Sequence, residues 1–369
     1  MNWQILQINI ENMQRRMEQQ FWKTCEDGNH YVEEVVKLLQ KEQININWQD
    51  FGLERTPFYI ACQNGQIDIV TILLNDERID INKANESGAT PFFIACKNGY
   101  IEIVNLLLND KRIDINKANK NGATPFSIAC QDGHTEVVEL LLNDERIDLN
   151  KARNSGETPL YIACQNGYIE IVKLLLNDQR VYDIDNTIKY GFTPFWIACE
   201  NGHIEIVKLL LNDQRVDINN PNKYGFTPFW VACYKEHIEI VKLLLSDPRV
   251  DINKSKNDIS TPFYMACQEG QIEIVKHLLA CGRQIELNKK DDDGKTGLDW
   301  AREKEKMEMD EWDEVDEDWE EFQERKRNCG KIVKLIESFE KNPNETIFQL
   351  RIQLEFTGKS FLFIYLFKI

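Results

Sequence analysis

The stretch FYIACQNGQIDIV, residues 58–70, recurs in altered form six more times along a chain of 369 residues. Each copy directly follows a threonine and a proline. The steps between these threonines are 34 or 35 residues, at Thr56, Thr90, Thr124, Thr158, Thr193, Thr227 and Thr261, with a weaker copy at Thr296. A fixed period of this length predicts a solenoid, in which each unit buries its apolar face only against its neighbours.

Each unit carries the signals of two short helices joined by a tight turn. Thr90 and Pro91 predict a helix start, because threonine caps free N–H groups and proline is tolerated in the first turn. Gly99 predicts the end of that helix, since glycine adopts left-handed backbone at little cost. An apolar stripe over residues 103–108 predicts the second helix. A polar loop and an extended finger, which closes at residues 120–122, then lead to the next Thr-Pro.

These features resemble the ankyrin repeat, whose units carry T-P-L-H-x-A. The resemblance implies an all-α, ankyrin-type helical solenoid with short β-hairpin or turn fingers. We expect about nine units over residues 1–345: a degenerate first unit at 21–55, clear units over 56–293, and an interrupted last unit at 294–340. The histidine of the family motif is replaced, mostly by aromatic residues, at Tyr59, Phe93, Ser127, Tyr161, Trp196, Trp230 and Tyr264.

Three turns lack the expected glycine. Glu236 stands at a helix-ending position, and Glu54 and Ile259 stand at finger positions. A non-glycine residue in left-handed backbone costs about 1–2 kcal/mol. We therefore predict that these turns rearrange to avoid positive φ.

Seven cysteines occupy one register position on the first helix of each clear unit: Cys62, Cys96, Cys130, Cys164, Cys199, Cys233 and Cys267. Packed helices lie 8–10 Å apart, whereas a disulfide needs Cα atoms within about 7 Å. A zinc site usually contains paired ligands such as C-x2-C, which this sequence lacks. We predict that these cysteines are small buried packing residues, and that Cys281 and Cys329, outside the register, are the candidates for reactivity.

Composition limits the classes of function. The formal net charge of −17 argues against a general nucleic-acid binder, which needs concentrated lysine and arginine. The apolar run at 361–367 is too short for a membrane-spanning helix, and we expect no secretory signal at the N-terminus. Ten cysteines without such a signal predict a reducing compartment, the cytoplasm or alternatively the nucleus.

Residues that could carry catalysis follow the repeat and indicate scaffold roles. His134, His203 and His237 share one register position, and Asp80, Asp114, Asp148 and Asp217 recur with Arg78, Arg112, Arg146 and Arg215 in the loops. We interpret these aspartates and arginines as groups that satisfy loop backbone and opposing charge. The TGKS at 357–360 lacks the first glycine of a phosphate-binding loop, and no EF-hand string occurs. We expect no enzymatic activity, no catalytic or metal-binding residue, no cofactor and no small-molecule substrate.

The ankyrin resemblance implies a protein-binding scaffold that uses its finger tips and the exposed side of the first helix as a concave face. The repeat pattern predicts a protein partner but does not indicate which protein. The string KYGFTPFW occurs at 189–196 and again at 223–230, and aromatic residues are enriched at binding hot spots. We predict a partner-binding patch made of Tyr190, Phe192, Trp196, Tyr224, Phe226, Trp230 and Tyr234. The alternative is structural: the phenylalanines fold over neighbouring fingers and the tryptophans fill the seam between units.

An acidic insertion, residues 303–325, interrupts the last unit, and thirteen acidic side chains and two lysines lie within 303–324. Met309, Trp312, Val315, Trp319 and Phe322 share one helical face. The insertion is either an extended capping helix or an acidic, aromatic peptide that docks on a basic partner, or on the solenoid itself as an internal brake. A regulatory protein whose effector or autoinhibitory element is this insertion or the tail is therefore the alternative function.

The tail, residues 346–369, shows alternating apolar and polar residues over 348–356, which predicts a strand and, with 361–367, a hairpin. Such a hairpin is marginal alone in water. The tail therefore packs on another surface, self-associates, or reflects an error in the gene model.

Overall fold

A computed structural model describes residues 2–28, 31–41, 43–255, 260–307 and 319–354. The chain forms two compact units, residues 1–188 and residues 189–369. All regular elements of the described residues are helices, and the only β feature there is an isolated bridge between Lys290 and Thr296. The predicted all-α repeat fold is confirmed.

The first unit contains five helix pairs. Its helices are α1 (Asn2–Asp27) and α2 (Val32–Leu39), α3 (Pro57–Gln63) and α4 (Ile67–Leu74), α5 (Pro91–Asn98) and α6 (Ile101–Leu108), α7 (Pro125–Asp132) and α8 (Thr135–Leu142), and α9 (Pro159–Asn166) and α10 (Ile169–Asn177). First helices contact first helices and second helices contact second helices, from α3 through α10. Helix α1 has 26 residues and begins well before Phe21, where the sequence places the first repeat.

The second unit repeats this arrangement and adds a C-terminal helix. Its helices are α11 (Pro194–Glu200) and α12 (Ile204–Asn212), α13 (Pro228–Tyr234) and α14 (Ile238–Ser246), α15 (Pro262–Gln268) and α16 (Ile272–Ala280), α17 (Gly297–Lys306) and α18 (Trp319–Lys341), and α19 (Pro343–Gln353). Helices α11, α13, α15 and α17 contact one another in sequence, and α19 contacts α16 and α18.

The helix pair α5 and α6 shows how one sequence repeat folds. The Thr90 hydroxyl accepts a hydrogen bond from the backbone N–H of Phe93, Pro91 lies in the first turn, and Gly99 ends the helix with φ +74°. Phe92 is fully buried, as are the equivalent phenylalanines of other units, which contributes about 1.5–3 kcal/mol per side chain. The second helix buries Ile103, Val104 and Leu107, so the predicted stripe faces the core.

Two side chains per repeat join successive units through their loops. Arg112 Nη2 donates hydrogen bonds to the carbonyl of Leu74, at the end of the preceding second helix, and to Asp110 Oδ2 at 2.6 Å. Asn116 Nδ2 donates to the carbonyl of Arg146, and its Oδ1 accepts from the N–H of Asp148. The scaffold role predicted for the loop charges is confirmed, although the arginine pairs with the aspartate two residues before it.

The fingers that begin at Asn85, Asn119 and Asn222 are turns held by the asparagine side chain. Asn119 Oδ1 accepts a hydrogen bond from the N–H of Ala123, and the Asn119 N–H donates to the Ala123 carbonyl at 2.9 Å. One backbone bond, from the N–H of Lys120 to the carbonyl of Ser87, links this finger to the preceding one. This finger therefore has its own turn, and one backbone hydrogen bond links it to the preceding finger, so the two do not pair as a continuous sheet.

The prediction that glycine-free turns rearrange is wrong at two positions. Glu236 and Glu54 keep left-handed backbone, with φ +55° and +54°. The N–H of His237 still donates to the carbonyl of Ala232, and that of Ile238 to the carbonyl of Glu236, so the turn keeps the pattern of glycine-containing units. Packing of the two helices fixes the turn more strongly than a cost of about 1–2 kcal/mol opposes it. The third position, Ile259, lies outside the described residues.

The predicted strand over 348–356 is also wrong in its described part, which lies in helix α19 and its C-terminal end. Asn342 caps this helix, Pro343 occupies its first turn, and Thr346 and Leu350, four residues apart, are buried. Arg351 Nε donates to the carbonyl of Ala280, which fastens α19 to the end of α16. These tertiary contacts override the alternating pattern. The remainder of the predicted hairpin, residues 355–369, lies outside the described residues.

The acidic insertion is described at both of its ends. Phe322 is buried within α18, whereas Trp319 is 57% exposed. The other members of the predicted stripe, Met309, Trp312 and Val315, lie outside the described residues.

Candidate partner-binding surface

The two KYGFTPFW copies form neighbouring fingers and helix starts within residues 189–369. Asn222 is buried and its Oδ1 accepts hydrogen bonds from the N–H groups of Tyr224 and Phe226, at 2.9 and 3.0 Å. The N–H of Lys223 donates to the carbonyl of Tyr190, which joins the two fingers. This geometry presents the side chains of Tyr190 and Tyr224 at adjacent tips.

Tyr190 and Tyr224 stack on each other while remaining accessible. Their ring centroids lie 6.2 Å apart with an interplanar angle of 19°, and the residues are 46% and 45% exposed. Tyr190 also contacts Phe192, at 6.3 Å between centroids. Fixed aromatic side chains offer a large contact area with little conformational entropy left to lose on binding.

A column of rings continues from each finger along the first helix. The Phe226 ring stacks on Trp230 at 4.0 Å, and Trp230 stacks on Tyr234 at 5.1 Å and 14°. In the preceding repeat, Phe192 lies 4.2 Å from Trp196. Trp230 and Tyr234 lie in line because residues i and i+4 share one helix face, and Phe226, in the finger before α13, extends the column. Tyr234 ends the column and is 46% exposed.

The two tryptophans lie in the seam between repeats. Trp196 and Trp230 are 5% and 9% exposed. Trp196 Nε1 donates to the carbonyl of Phe226, and Trp230 Nε1 donates to the carbonyl of Ser260, each 30 residues later. These contacts support the structural interpretation of the tryptophans.

We use the name aromatic surface for the five accessible or half-buried residues Tyr190, Phe192, Tyr224, Phe226 and Tyr234, with Trp196 and Trp230 behind them. All seven predicted residues therefore come together in one part of the chain. Lysines border this surface, since Lys189 Nζ lies 5.8 Å from the Tyr190 ring and Lys235 Nζ lies 5.8 Å from the Tyr234 ring. The sequence analysis did not predict the supporting role of Asn222. An asparagine at the same finger position, which accepts from the N–H four residues later, also occurs at Asn85 and Asn119.

The thiols of the repeats have low reactivity because they are buried and protonated. All ten cysteines are free, and all except Cys281 are buried. Burial raises the pKa of each repeat thiol, for example that of Cys62 or Cys96, and raises the pKa of Cys329 to about 11. A protonated thiol is a poor nucleophile and a poor metal ligand. The prediction of buried packing cysteines is confirmed, and among the described residues no group of His, Cys, Asp and Glu could hold a metal ion.

The register histidines serve the scaffold. His134 Nε2 lies 2.7 Å from the carbonyl oxygen of Lys97, and His237 Nε2 lies 2.8 Å from that of Glu200. Each ring thus reaches the end of the preceding unit's first helix, 37 residues earlier. In the described part of the chain, no helix is long and apolar enough to cross a membrane.

Comparison with known families assigns the repeat. The family described as Ankyrin repeats (3 copies) matches residues 22–119, 112–188 and 180–256, and the family described as Ankyrin repeat matches residues 259–292. No curated protein matches the chain. Because these matches cover well over half of the sequence, the chain belongs to the ankyrin repeat family, whose repeats generally mediate protein–protein interactions.

Proposed function

We propose that this protein is a non-enzymatic scaffold that binds a protein partner through the aromatic surface, on the finger and first-helix face of residues 189–369. The observation that carries the proposal is the stacked, accessible pair Tyr190 and Tyr224. Core packing of their own repeats does not require two tyrosines that keep nearly half of their surface in solvent. Tyrosine and tryptophan dominate binding hot spots, and an interface of this kind needs such rigid anchors.

The absence of catalysis is part of the proposal. Its support is that nine of the ten thiols are buried, that burial raises their pKa values, and that His134 and His237 are engaged with backbone carbonyls. The ten free cysteines also favour a reducing compartment, so we propose a cytoplasmic location, with the nucleus as the alternative. A net charge of −17 favours a protein partner over nucleic acid.

The test removes the accessible rings without touching the seam. The full chain with Tyr190→Ala and Tyr224→Ala would be compared with the unchanged chain in affinity purification followed by mass spectrometry, and the partner then measured with purified proteins. We expect a loss of affinity of at least about tenfold, since each hot-spot residue contributes upwards of 2 kcal/mol.

A matched control is Tyr182→Ala, because Tyr182 is 76% exposed and belongs to residues 1–188. This variant should bind the partner like the unchanged chain. Equal binding by the double variant and the unchanged chain, with both folded by circular dichroism, contradicts the proposal.

The regulatory alternative assigns function to the acidic insertion, residues 303–325, or to the tail. Burial of Phe322 and Lys304 supports a capping role for the two ends of the insertion. Deletion of 303–324 should therefore lower the stability of the chain. A deletion variant of unchanged stability and higher partner affinity would instead support autoinhibition.

A further inference from the structure

A cavity of about 510 Å³ lies beside Tyr234, between the turns that end α13 and α15 and the facing side of α18. Its charged lining residues come from all three places and are mostly acidic: Glu236, Glu269, Glu321, Glu324, Lys235 and Arg325. Four carboxylates thus face two cations. The cavity has an excess of negative charge in a space large enough for a side chain from another molecule.

The cations of the cavity are already engaged. Arg325 Nη1 donates to Glu269 Oε2 at 2.9 Å, and its Nη2 lies 3.7 Å from Glu321 Oε1. Lys235 Nζ lies over the Tyr234 ring. Within the described part of the chain, Glu236 and Glu324 form no ion pair. Arg325 offsets part of the charge of Glu236, and Glu324 repels it, so these two carboxylates hold most of the excess negative charge.

A buried acceptor also lines the cavity without a hydrogen bond. Gln271 is 8% exposed, and its Nε2 donates to the carbonyl of Tyr234 at 3.0 Å. Its Oε1 has no hydrogen-bond partner among the described residues. A buried acceptor without a donor is destabilising, so a rotation of the Gln271 side chain that brings this oxygen to a ligand with N–H groups would be favourable.

Glu236 lines the cavity at a conformational cost. The same turn position is occupied by glycine in the adjacent repeats, Gly202 with φ +76° and Gly270 with φ +70°. Although Glu236 is exposed as a residue, partial desolvation of its carboxyl raises its pKa. Strained backbone and desolvated charge at one residue are typical of functional sites.

We infer that this cavity binds an arginine side chain of the protein partner, so that the aromatic surface and the cavity recognise one partner segment. The inference deepens the proposed function and rests on it for the identity of the ligand as part of a protein. A guanidinium group is flat and carries five N–H donors. It can donate to the carboxylates of Glu236 and Glu324 and take the place of the Lys235 ammonium over the Tyr234 ring, which also stacks on Trp230.

The experiment uses a small probe on the full chain. Nα-acetyl-L-arginine N-methylamide would be titrated into the 15N-labelled protein, with the neutral citrulline analogue as the matched control ligand. We expect saturable shifts of the Gly270 and Gln271 backbone amide signals with the arginine probe, and binding at least about tenfold weaker with the citrulline analogue.

Protein variants separate the cavity from general electrostatics. Glu236→Gln with Glu324→Gln should weaken the arginine probe by about tenfold or more. Glu205→Gln with Glu239→Gln removes the same charge from exposed first turns of α12 and α14 and should leave binding unchanged. Equal weakening by both pairs, equal binding of the two ligands, or shifts that do not saturate would overturn the inference.

The same titration distinguishes this inference from the proposed function. Tyr190→Ala with Tyr224→Ala should leave probe binding intact, because these residues do not line the cavity. A chain that loses the partner with that variant but never binds the probe refutes the cavity assignment and keeps the aromatic surface.

Discussion

Trp196 Nε1 donates a 3.1 Å hydrogen bond to the carbonyl oxygen of Phe226, so a first-helix side chain of one repeat holds the finger of the next. Trp230 makes the equivalent bond to Ser260. In the ankyrin motif this register position is a histidine, and here an indole combines seam filling with the donor that reaches the next finger. The arrangement explains why the two tryptophans are buried whereas the tyrosines at the tips are accessible.

Replacement of Trp196 by phenylalanine should destabilise the chain by about 1–2 kcal/mol, through loss of the hydrogen bond and of buried volume. Urea unfolding followed by circular dichroism would measure the change. Trp319→Phe is the control, because Trp319 is 57% exposed, and a change within about 0.5 kcal/mol is expected there. An equal loss of unfolding free energy in the two variants would contradict the role of Trp196 in the seam between repeats.

The junction between repeats should depend on single asparagines. Asn116→Ala deletes two hydrogen bonds to the next loop and leaves the Arg146 carbonyl and the Asp148 N–H without them, so a loss of about 1–3 kcal/mol is expected. Asn109→Ala deletes one exposed bond within its own helix and should cost less than about 0.5 kcal/mol. Thermal unfolding of the two variants under one set of conditions would compare them.

Local signals in the sequence predict the repeat well because the forces behind them are local. Thr90 and Gly99 act within one turn of backbone, so capping and termination follow from residue type and spacing. The aromatic surface was predictable for the same reason, since KYGFTPFW places its rings at fixed positions on a repeat of known form.

Features that depend on contacts between repeats were not predictable. The alternation at 348–354 is compatible with a strand, and only packing on α16 and α18, with the bond from Arg351 to Ala280, selects the helix. The turn at Glu236 keeps its left-handed form because the paired helices determine it. The cavity joins Tyr234, Gln271 and Arg325 from three separate helices or turns, and no spacing in the sequence indicates that they meet.

The accessibility of the thiols provides a further prediction. In native buffer, a thiol reagent should modify Cys281 faster than the other nine cysteines, because only Cys281 is partly accessible, although burial raises its pKa too. Cys281→Ser should remove the fast phase of modification. In denaturant, all ten thiols of the unchanged chain should react. Rapid modification of several repeat cysteines in the folded chain would contradict their burial.

Asp291 should make the stability of the compact unit at residues 189–369 sensitive to acid. Tyr264 Oη and Trp300 Nε1 donate to its Oδ2 at 2.6 and 2.7 Å, and these bonds lower the pKa of Asp291 to about 2. Because the folded pKa is depressed, the stabilisation is present above the unfolded value of about 4 and is lost as pH falls towards 2. Asp291→Asn should therefore unfold at lower urea than the unchanged chain at pH 6. The difference in urea midpoint between the two proteins should decrease between pH 4 and pH 2. A difference that does not change with pH would rule out this linkage.

Glycine substitutions at the two strained turns should separate backbone strain from the role of the cavity. Glu54 and Glu236 have nearly equal positive φ, but Glu236 lines the cavity, and partial desolvation raises the pKa of its carboxyl. Glu54→Gly should stabilise the chain by about 0.5–1 kcal/mol, which is the relief of strain less the greater freedom of glycine in the unfolded chain. Glu236→Gly should stabilise at least as much, because it also removes the desolvated carboxylate. Urea unfolding measures both, and only Glu236→Gly should weaken the arginine probe. Destabilisation by Glu236→Gly would mean that this carboxylate supports the fold rather than a ligand.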